Sequence, residues 1–315
     1  MKVVVTGGAG FIGANLCRQL LAAPGITEVV ALDDLSTGFR TNLEGVDVEL
    51  VEGTILDPAT LDRCLAGASS VVHLGARPSV PRSVADPVAS HDANATGTMN
   101  VLEAARRADG AHVVVASSSS VYGANPTLPK HEDLATRPLS PYAASKLATE
   151  SYTLAWGHSY GMPTLAFRFF NVFGPLQAAG HAYAAVVPAF VSAAMEGRPL
   201  TVHGDGTQSR DFTYVRTVCS VITDAVLRRV SSPDPVNLAF GSRTNLLEVV
   251  ALLEELLERP LEVEFTDPRV GDVKHSQADN ARLRELFPDV VPVELREGLA
   301  ATVEWFRNGT VPPAT

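Results

Sequence analysis

A short apolar run, Lys2-Val3-Val4-Val5-Thr6, leads directly into Gly7-Gly8-Ala9-Gly10-Phe11-Ile12-Gly13 and then into an apolar-periodic stretch reaching about Leu21. No other feature restricts the possible folds so tightly. The order predicts a buried strand, a tight glycine turn and a helix. Each of Gly7, Gly10 and Gly13 then has a purpose: the turn itself, close approach of backbone to a pyrophosphate, and close packing of helix on strand. The helix N-terminus offers unpaired N–H groups and a partial positive charge to phosphate. The next apolar run, Glu28 to Leu32, delivers Asp33 about twenty residues beyond Gly13, where a carboxylate meets the adenosine ribose. A carboxylate there repels a 2′-phosphate, so the expected cofactor is NAD and not NADP.

The alternation continues along the chain. Val48 to Val51 reads as strand, Pro58 to Leu65 as helix, Ser70 to Leu74 as strand, Pro87 to Ala108 as one long helix and His112 to Ala116 as strand. Strands alternating with helices predict an α/β fold, a doubly wound parallel sheet with right-handed crossovers. Ligands of such sheets gather at the carboxyl ends of the strands, and the fifth strand ends in Ser117-Ser118-Ser119-Ser120-Val121-Tyr122-Gly123. Hydroxyls placed there suit hydrogen bonding to a substrate.

The third feature is Ser140-Pro141-Tyr142-Ala143-Ala144-Ser145-Lys146. Ser140 suits a helix N-cap and Pro141 the first helical position. Tyr142 and Lys146 then stand four apart on one helical face, where an ammonium near the phenol favours its ionised form.

A formal net charge of −10 argues against nucleic acid as a partner, and no run is long enough to span a membrane. Three scattered cysteines, Cys17, Cys64 and Cys219, form no even framework, which points to reduced thiols and a cytoplasmic protein. No metal is expected.

With these residues in view the chain resembles an extended short-chain dehydrogenase/reductase of the NAD-dependent nucleotide-sugar epimerase/dehydratase family, most similar to UDP-N-acetylglucosamine and UDP-glucose 4-epimerases. GGAGFIG at 7 to 13, SSSSVYG at 117 to 123 and YAASK at 142 to 146 carry the resemblance. So do Arg168 to Gly174, Gly204 to Phe212 and Gly271-Asp272-Val273. It implies a Rossmann fold over residues 1–170, rejoined by some later segments, with 171–315 mainly a smaller mixed α/β cap that binds the nucleotide sugar. It also implies tightly bound NAD, regenerated at each turnover, and a homodimer formed through two long helices per subunit.

The resemblance makes Ser118, Tyr142 and Lys146 the catalytic set. Cofactor contacts fall on Gly7, Gly10, Phe11, Ile12, Gly13, Asp33, Ser36, Thr37, Gly38, Thr54, Ile55, Leu74, Ala76, Asn94 and Phe169, with Tyr142 and Lys146. The family often has Asp where Thr54 stands, so that adenine contact is lost or left to the Ile55 N–H. Substrate contacts fall on Ser79, Ser118, Ser119, Tyr142, Asn171, Ala185, Val186, Thr201, His203, Arg210, Arg269, Asp272 and Ser276. Arg210 and Arg269 take the diphosphate, and Asp272 holds the ribose or orients Arg269. Arg77 either reaches a substrate carboxylate or phosphate or points to solvent.

Dehydratases of the family carry Asp-Glu directly after the catalytic hydroxyl, because elimination needs a general acid and a base. Ser119 and Ser120 stand there instead, which favours epimerisation at C4 through a transient 4-keto sugar. Ser276 falls where relatives carry a tyrosine or a small residue beside the sugar C2 group, and a small side chain leaves room for N-acetyl. The expected substrates are UDP-GlcNAc/UDP-GalNAc and UDP-Glc/UDP-Gal. A UDP-glucuronate 4-epimerase, a dehydratase, a 4-ketoreductase releasing its cofactor and a non-catalytic nucleotide-binding scaffold remain as alternatives.

Overall fold

The computed structural model describes residues 1–179, 184–267 and 274–308. β1 (Lys2–Thr6), α1 (Phe11–Leu21), β2 (Glu28–Asp33), β3 (Glu49–Glu52), α2 (Pro58–Leu65) and β4 (Ser70–His73) form the first half of an alternating layer structure. The second half contains α3 (Val80–Ala85), α4 (Pro87–His91), α5 (Gly97–Arg107), β5 (His112–Ser118), α6 (Pro141–Tyr160) and β6 (Thr164–Phe169). There follow β7 (Val172–Phe173), α7 (Val186–Met195), β8 (Leu200–His203), β9 (Ser209–Arg210), β10 (Thr213–Tyr214) and α8 (Val215–Arg228). The chain closes through β11 (Val236–Leu238), β12 (Thr244–Asn245), α9 (Leu246–Leu257), β13 (Val263–Thr266), α10 (Ala281–Leu286) and α11 (Leu295–Asn308).

Seven strands form one parallel sheet in the order β11-β6-β5-β4-β1-β2-β3. The strand order reverses between β1 and β4, which opens a crevice at their carboxyl ends. Strand residues are buried on both faces: Val3 and Val5 pack into the core with α1 and α8, whereas Val4 packs with Leu61, Val101 and Leu102 of α2 and α5. This is why these strands read as continuous apolar runs and not as alternating ones. The doubly wound parallel sheet expected from the sequence is therefore present. β8 and β13 form a second parallel pair, with α7, α9 and α11 contributing to the adjoining core.

Three local features depart from the sequence expectation. The helix expected over Pro87 to Ala108 contains a π turn at Asp92–Thr96 that divides α4 from α5. β5 runs two residues further, so Ser117 and Ser118 belong to the strand, and Ser119–Tyr122 forms a 3₁₀ turn. β3 starts one residue later than expected.

A buried ion pair joins β6, next to the β11 edge of the sheet, to α6. Arg168 on β6 donates to both carboxylate oxygens of Glu150, at 2.9 and 2.7 Å, and both side chains are 4% exposed. Burial works against the Arg168 charge, and the Glu150 bonds more than offset it, so the guanidinium stays firmly protonated. Ser117 at the end of β5 donates to Glu150 Oε2 at 2.9 Å. Arg168 also lies 4.7 Å from the centroid of the Tyr122 ring and donates to the Glu132 carbonyl. Removing one member of a buried pair leaves the other charge uncompensated. Arg168→Met is expected to lower unfolding stability by about 3–5 kcal/mol, read as a fall in the urea midpoint, and the double variant Arg168→Met/Glu150→Gln to recover part of it. An unchanged midpoint in the single variant contradicts this.

Candidate active site

The glycine turn after β1 is built to hold backbone against backbone. Gly7 has φ of 69°, and a Cβ on it would stand 2.8 Å from the Gly75 nitrogen in the turn after β4. A Cβ on Gly13 would stand 2.0 Å from the Gly7 carbonyl oxygen, so α1 sits on the turn as only glycine allows. The α1 N-cap is Gly10, which offers no side chain to the first N–H groups of the helix, and the first turn carries no acidic residue. An N-terminus left open in this way, with Phe11 and Ile12 partly buried at its start, suits a pyrophosphate. These residues fit the NAD expected from the sequence.

Asp33 ends β2 beside that turn, 7% exposed, accepting from the Ala9 and Leu35 N–H groups at 2.9 Å each. Burial pushes its carboxyl upward, opposed by these two bonds. Gly38 lies against it, since a Cβ there would be 2.9 Å from Asp33 Oδ1. Of the neighbouring predicted residues, Ser36 spends its hydroxyl on Asp34 Oδ1, and Thr37 is exposed. Leu74 and Ala76 follow β4 at the crevice, where Leu74 N–H bonds the Thr6 carbonyl. Thr54 uses its hydroxyl on the Leu56 N–H, while the Ile55 carbonyl accepts from Asn100.

Ser140 accepts from the Ala143 N–H at 3.1 Å, and Pro141 opens α6, as expected. Tyr142 is partly buried; burial pushes its pKa up and the nearby Ser118 hydroxyl opposes that. Lys146 is 6% exposed and donates to the Ala116 carbonyl at 2.9 Å. Burial brings its pKa down to about 8, so most of it is charged at neutral pH. The structure thus gathers Ser118, Tyr142 and Lys146 at the carboxyl edge of the sheet, with Phe169 of β6 paired in register with Ser118. Ser119 follows in the 3₁₀ turn.

Asn94 lies in the π turn and is 1% exposed. Its Oδ1 accepts from the Arg77 N–H, and its Nδ2 donates to the Arg77 carbonyl and to Ser145. Both amide hydrogens are therefore committed within the protein. The Arg77 side chain neither reaches into the cleft nor points free into solvent: it pairs with Asp86, the N-cap of α4, at 3.0 Å. Ser79 caps α3 with φ of 101°, a conformation rarely adopted by a residue with a side chain.

Asn171, Ala185, Val186, Thr201, His203 and Arg210 line one cavity of about 600 Å³, together with Gln208 and Phe212. Ser276 is not among the residues lining it; its N–H bonds the carbonyl of Ser209, the residue before the cavity-lining Arg210. Arg269 and Asp272 lie outside the described residues. Burial, then Arg243, Lys274 and Arg210, push the His275 pKa down, the mark of a locally positive field in an acidic chain.

Sequence reasoning passed over Asp211. Fully buried, it accepts from the N–H groups of Gly241 and Ala278 and from the Ser242 hydroxyl, while its carbonyl accepts from Asn171. It ties the cavity wall to the strand-end segments beyond β11. Its neighbour Arg210 stood out for its chemistry; Asp211 lay in the same Gly204 to Phe212 run, but its bonds reach Gly241, Ser242 and Ala278, residues far along the chain that the run does not show.

An open glycine turn at the switch point of a parallel sheet, with a Tyr-Lys helix beside a serine-tipped strand, defines a dinucleotide-dependent enzyme of the doubly wound class. The chain belongs to the NAD dependent epimerase/dehydratase family, whose model matches residues 3–239. It is 39% identical to the UDP-glucose 4-epimerase of Mycolicibacterium smegmatis, over 98% of this chain and 99% of that one. Its fold matches UDP-N-acetylglucosamine 4-epimerase from Methanobrevibacter ruminantium with a TM-score of 0.91 and 35% identity, covering 97% of this chain and 98% of that one. It also matches UDP-glucuronic acid 4-epimerase from Bacillus cereus, solved with UDP-glucuronic acid and NAD, with a TM-score of 0.88 and 29% identity over 98% and 99% of the two chains.

Proposed function

We propose that this protein interconverts the C4 epimers of a UDP-hexose, with UDP-GlcNAc/UDP-GalNAc and UDP-Glc/UDP-Gal as its substrates. The observation that carries the reading is the gathering of Ser118 at the end of β5, Tyr142 in the first turn of α6 and a buried Lys146 bonded to the Ala116 carbonyl, in a run where serines occupy positions 119 and 120. A hydroxyl at those positions does not serve as general acid or base at neutral pH, so elimination has no obvious agent there. Proton removal from a sugar hydroxyl, by contrast, needs one base, and Tyr142 is placed to be it.

Gly7, Gly10, Phe11, Ile12, Gly13 and Asp33 would hold the cofactor. When bound, NAD supplies the acceptor and donor of hydride that lets C4 be oxidised and then reduced on its other face. Tyr142 takes the proton of the 4-hydroxyl and returns it. Ser118 hydrogen-bonds the same oxygen. Lys146, charged below about pH 8, offsets the cost of a buried phenolate. The cavity of Asn171, Thr201, His203 and Arg210 takes the nucleotide diphosphate, with the arginine fork on phosphate. Ser276 leaves space beside C2, which supports acceptance of an N-acetyl group. In this reading residues 1–170 serve the cofactor, with some later segments returning to that domain, and 171–315 mainly bind the nucleotide sugar.

The enzyme acts as a homodimer. Exposed Val84, Val88, Met99, Tyr152 and Tyr160 lie on α3, α4, α5 and α6, which pack side by side, and a second copy would cover them. Three buried unpaired cysteines support a cytoplasmic site of action.

Incubation with UDP-GlcNAc, UDP-Glc and UDP-glucuronate in parallel tests the assignment. The expected result is the galacto epimer of either of the first two without net cofactor consumption. Turnover of the glucuronate alone would replace the proposed substrate, and a dehydrated product would overturn the reaction class. Tyr142→Phe is expected to lower kcat about 100-fold or more while bound NAD remains. Removal of the cation by Lys146→Met raises the phenol pKa, so the rising limb of the pH–rate profile should move to higher pH. A limb that stays in place means that Lys146 does not tune Tyr142.

A further inference from the structure

Ser118 has a hydroxyl with one hydrogen to donate and two lone pairs to accept. Both lone pairs are engaged by a single residue. The Ser120 N–H donates to Ser118 Oγ at 3.2 Å, and the Ser120 hydroxyl donates to the same oxygen at 2.9 Å. The remaining hydrogen of Ser118 is then left free of Ser120 and available to the Tyr142 phenol, whose pKa the Ser118 hydroxyl draws down.

We infer that Ser120 is a positioning residue, which locks the Ser118 hydroxyl as a donor aimed at the Tyr142 oxygen and at the substrate oxygen that shares its proton. The inference rests on the epimerase reading above and deepens it. It gives position 120 a task of its own, beyond the lack of a carboxylate there.

The local backbone makes the lock rigid. Ser118 is the extended N-cap of the 3₁₀ turn Ser119–Tyr122, whose Val121 and Tyr122 are 0% and 1% exposed. The turn is closed by Gly123 at φ of 46°, where a Cβ would stand 1.8 Å from the Arg137 carbonyl oxygen. The Gly123 N–H bonds back to the Ser120 carbonyl at 3.1 Å. These contacts hold the Ser120 backbone in place relative to Ser118. The other charged and titratable groups lie away from Ser120: Lys146 one turn along α6 and, beside it, His73 at the end of β4, neutral because burial takes its pKa down to about 3. Ser83 of α3 accepts from the Tyr142 N–H. A change at Ser120 alters none of these.

A Ser118 hydroxyl free to rotate spends part of its time pointing away from Tyr142, which weakens the phenolate more than it weakens substrate binding. Ser120→Ala is therefore expected to lower kcat about three- to tenfold with KM unchanged, the range for one hydrogen bond. Ser120→Thr keeps the hydroxyl and should stay within about twofold of the parent. A second readout needs no substrate: ultraviolet difference titration of the Tyr142 phenol, isolated by subtraction of Tyr142→Phe, should shift to higher pH in Ser120→Ala and not in Ser120→Thr. Melting temperatures report whether the variants are folded. Parent-like kcat and titration in Ser120→Ala overturn the inference, as does a Ser120→Thr variant equally impaired in both. Should the parent turn over no UDP-sugar, the epimerase reading fails, and the titration still decides on Ser120.

Discussion

The site depends on the height at which α6 begins relative to the end of β5. Ser118 closes the strand, and Tyr142 sits one residue into the helix after a long excursion of the chain. Only if those two ends meet does a serine hydroxyl touch a phenol. The buried carboxylate of Glu150 fixes that height. It accepts from Ser117 on β5 and from Arg168 on β6, and it stands one helical turn beyond Lys146. An ion pair so deep contributes less to net stability than its geometry suggests, because both charges give up water. Its value here is registry. Two strands and a helix have a single relative position that satisfies both the carboxylate and the guanidinium.

The same logic of committed polar groups recurs around the crevice. Asn94 holds Arg77 and Ser145, Asp211 holds the segments reaching Gly241 and Ala278, and His73 bridges Thr6 and Thr98 at 2.7 and 3.0 Å. Each group is buried and nearly saturated. Few side-chain groups near the sheet edge are left to move, which suits chemistry that requires the same oxygen to lose and regain a proton in a fixed geometry. The π turn carrying Asn94 shows how the chain adjusts. One extra residue in the turn brings its amide to Arg77 and lets its carbonyl accept from both Thr98 and Thr149.

The parallel sheet and the glycine turn were legible in the sequence because their cause is local. A fully buried strand has to be apolar along its length, and Gly7 and Gly13 stand where a Cβ would strike the backbone. Tyr142 and Lys146 were legible as a pair because the N-cap and first-position proline of α6 fix the phase of the helix, whereas Ser118 on β5 was assigned through the family resemblance. The ion pair of Arg168 with Glu150, the commitment of Asn94 and the hub at Asp211 were not. Each depends on residues distant in sequence meeting in the interior, and no pattern of spacing records such a meeting. Arg77 shows the same limit. Its partner Asp86 is nine residues away, and no pattern of spacing shows the pair.

The most direct test of C4 epimerisation is conversion of the preferred UDP-sugar in deuterium oxide, read by proton NMR of the product. The hydrogen at C4 leaves and returns as the same hydride, and C5 is never ionised. The expected product is therefore the C4 epimer with its original hydrogens at both C4 and C5. Deuterium at either carbon, or a product lacking the C6 oxygen, would contradict the account.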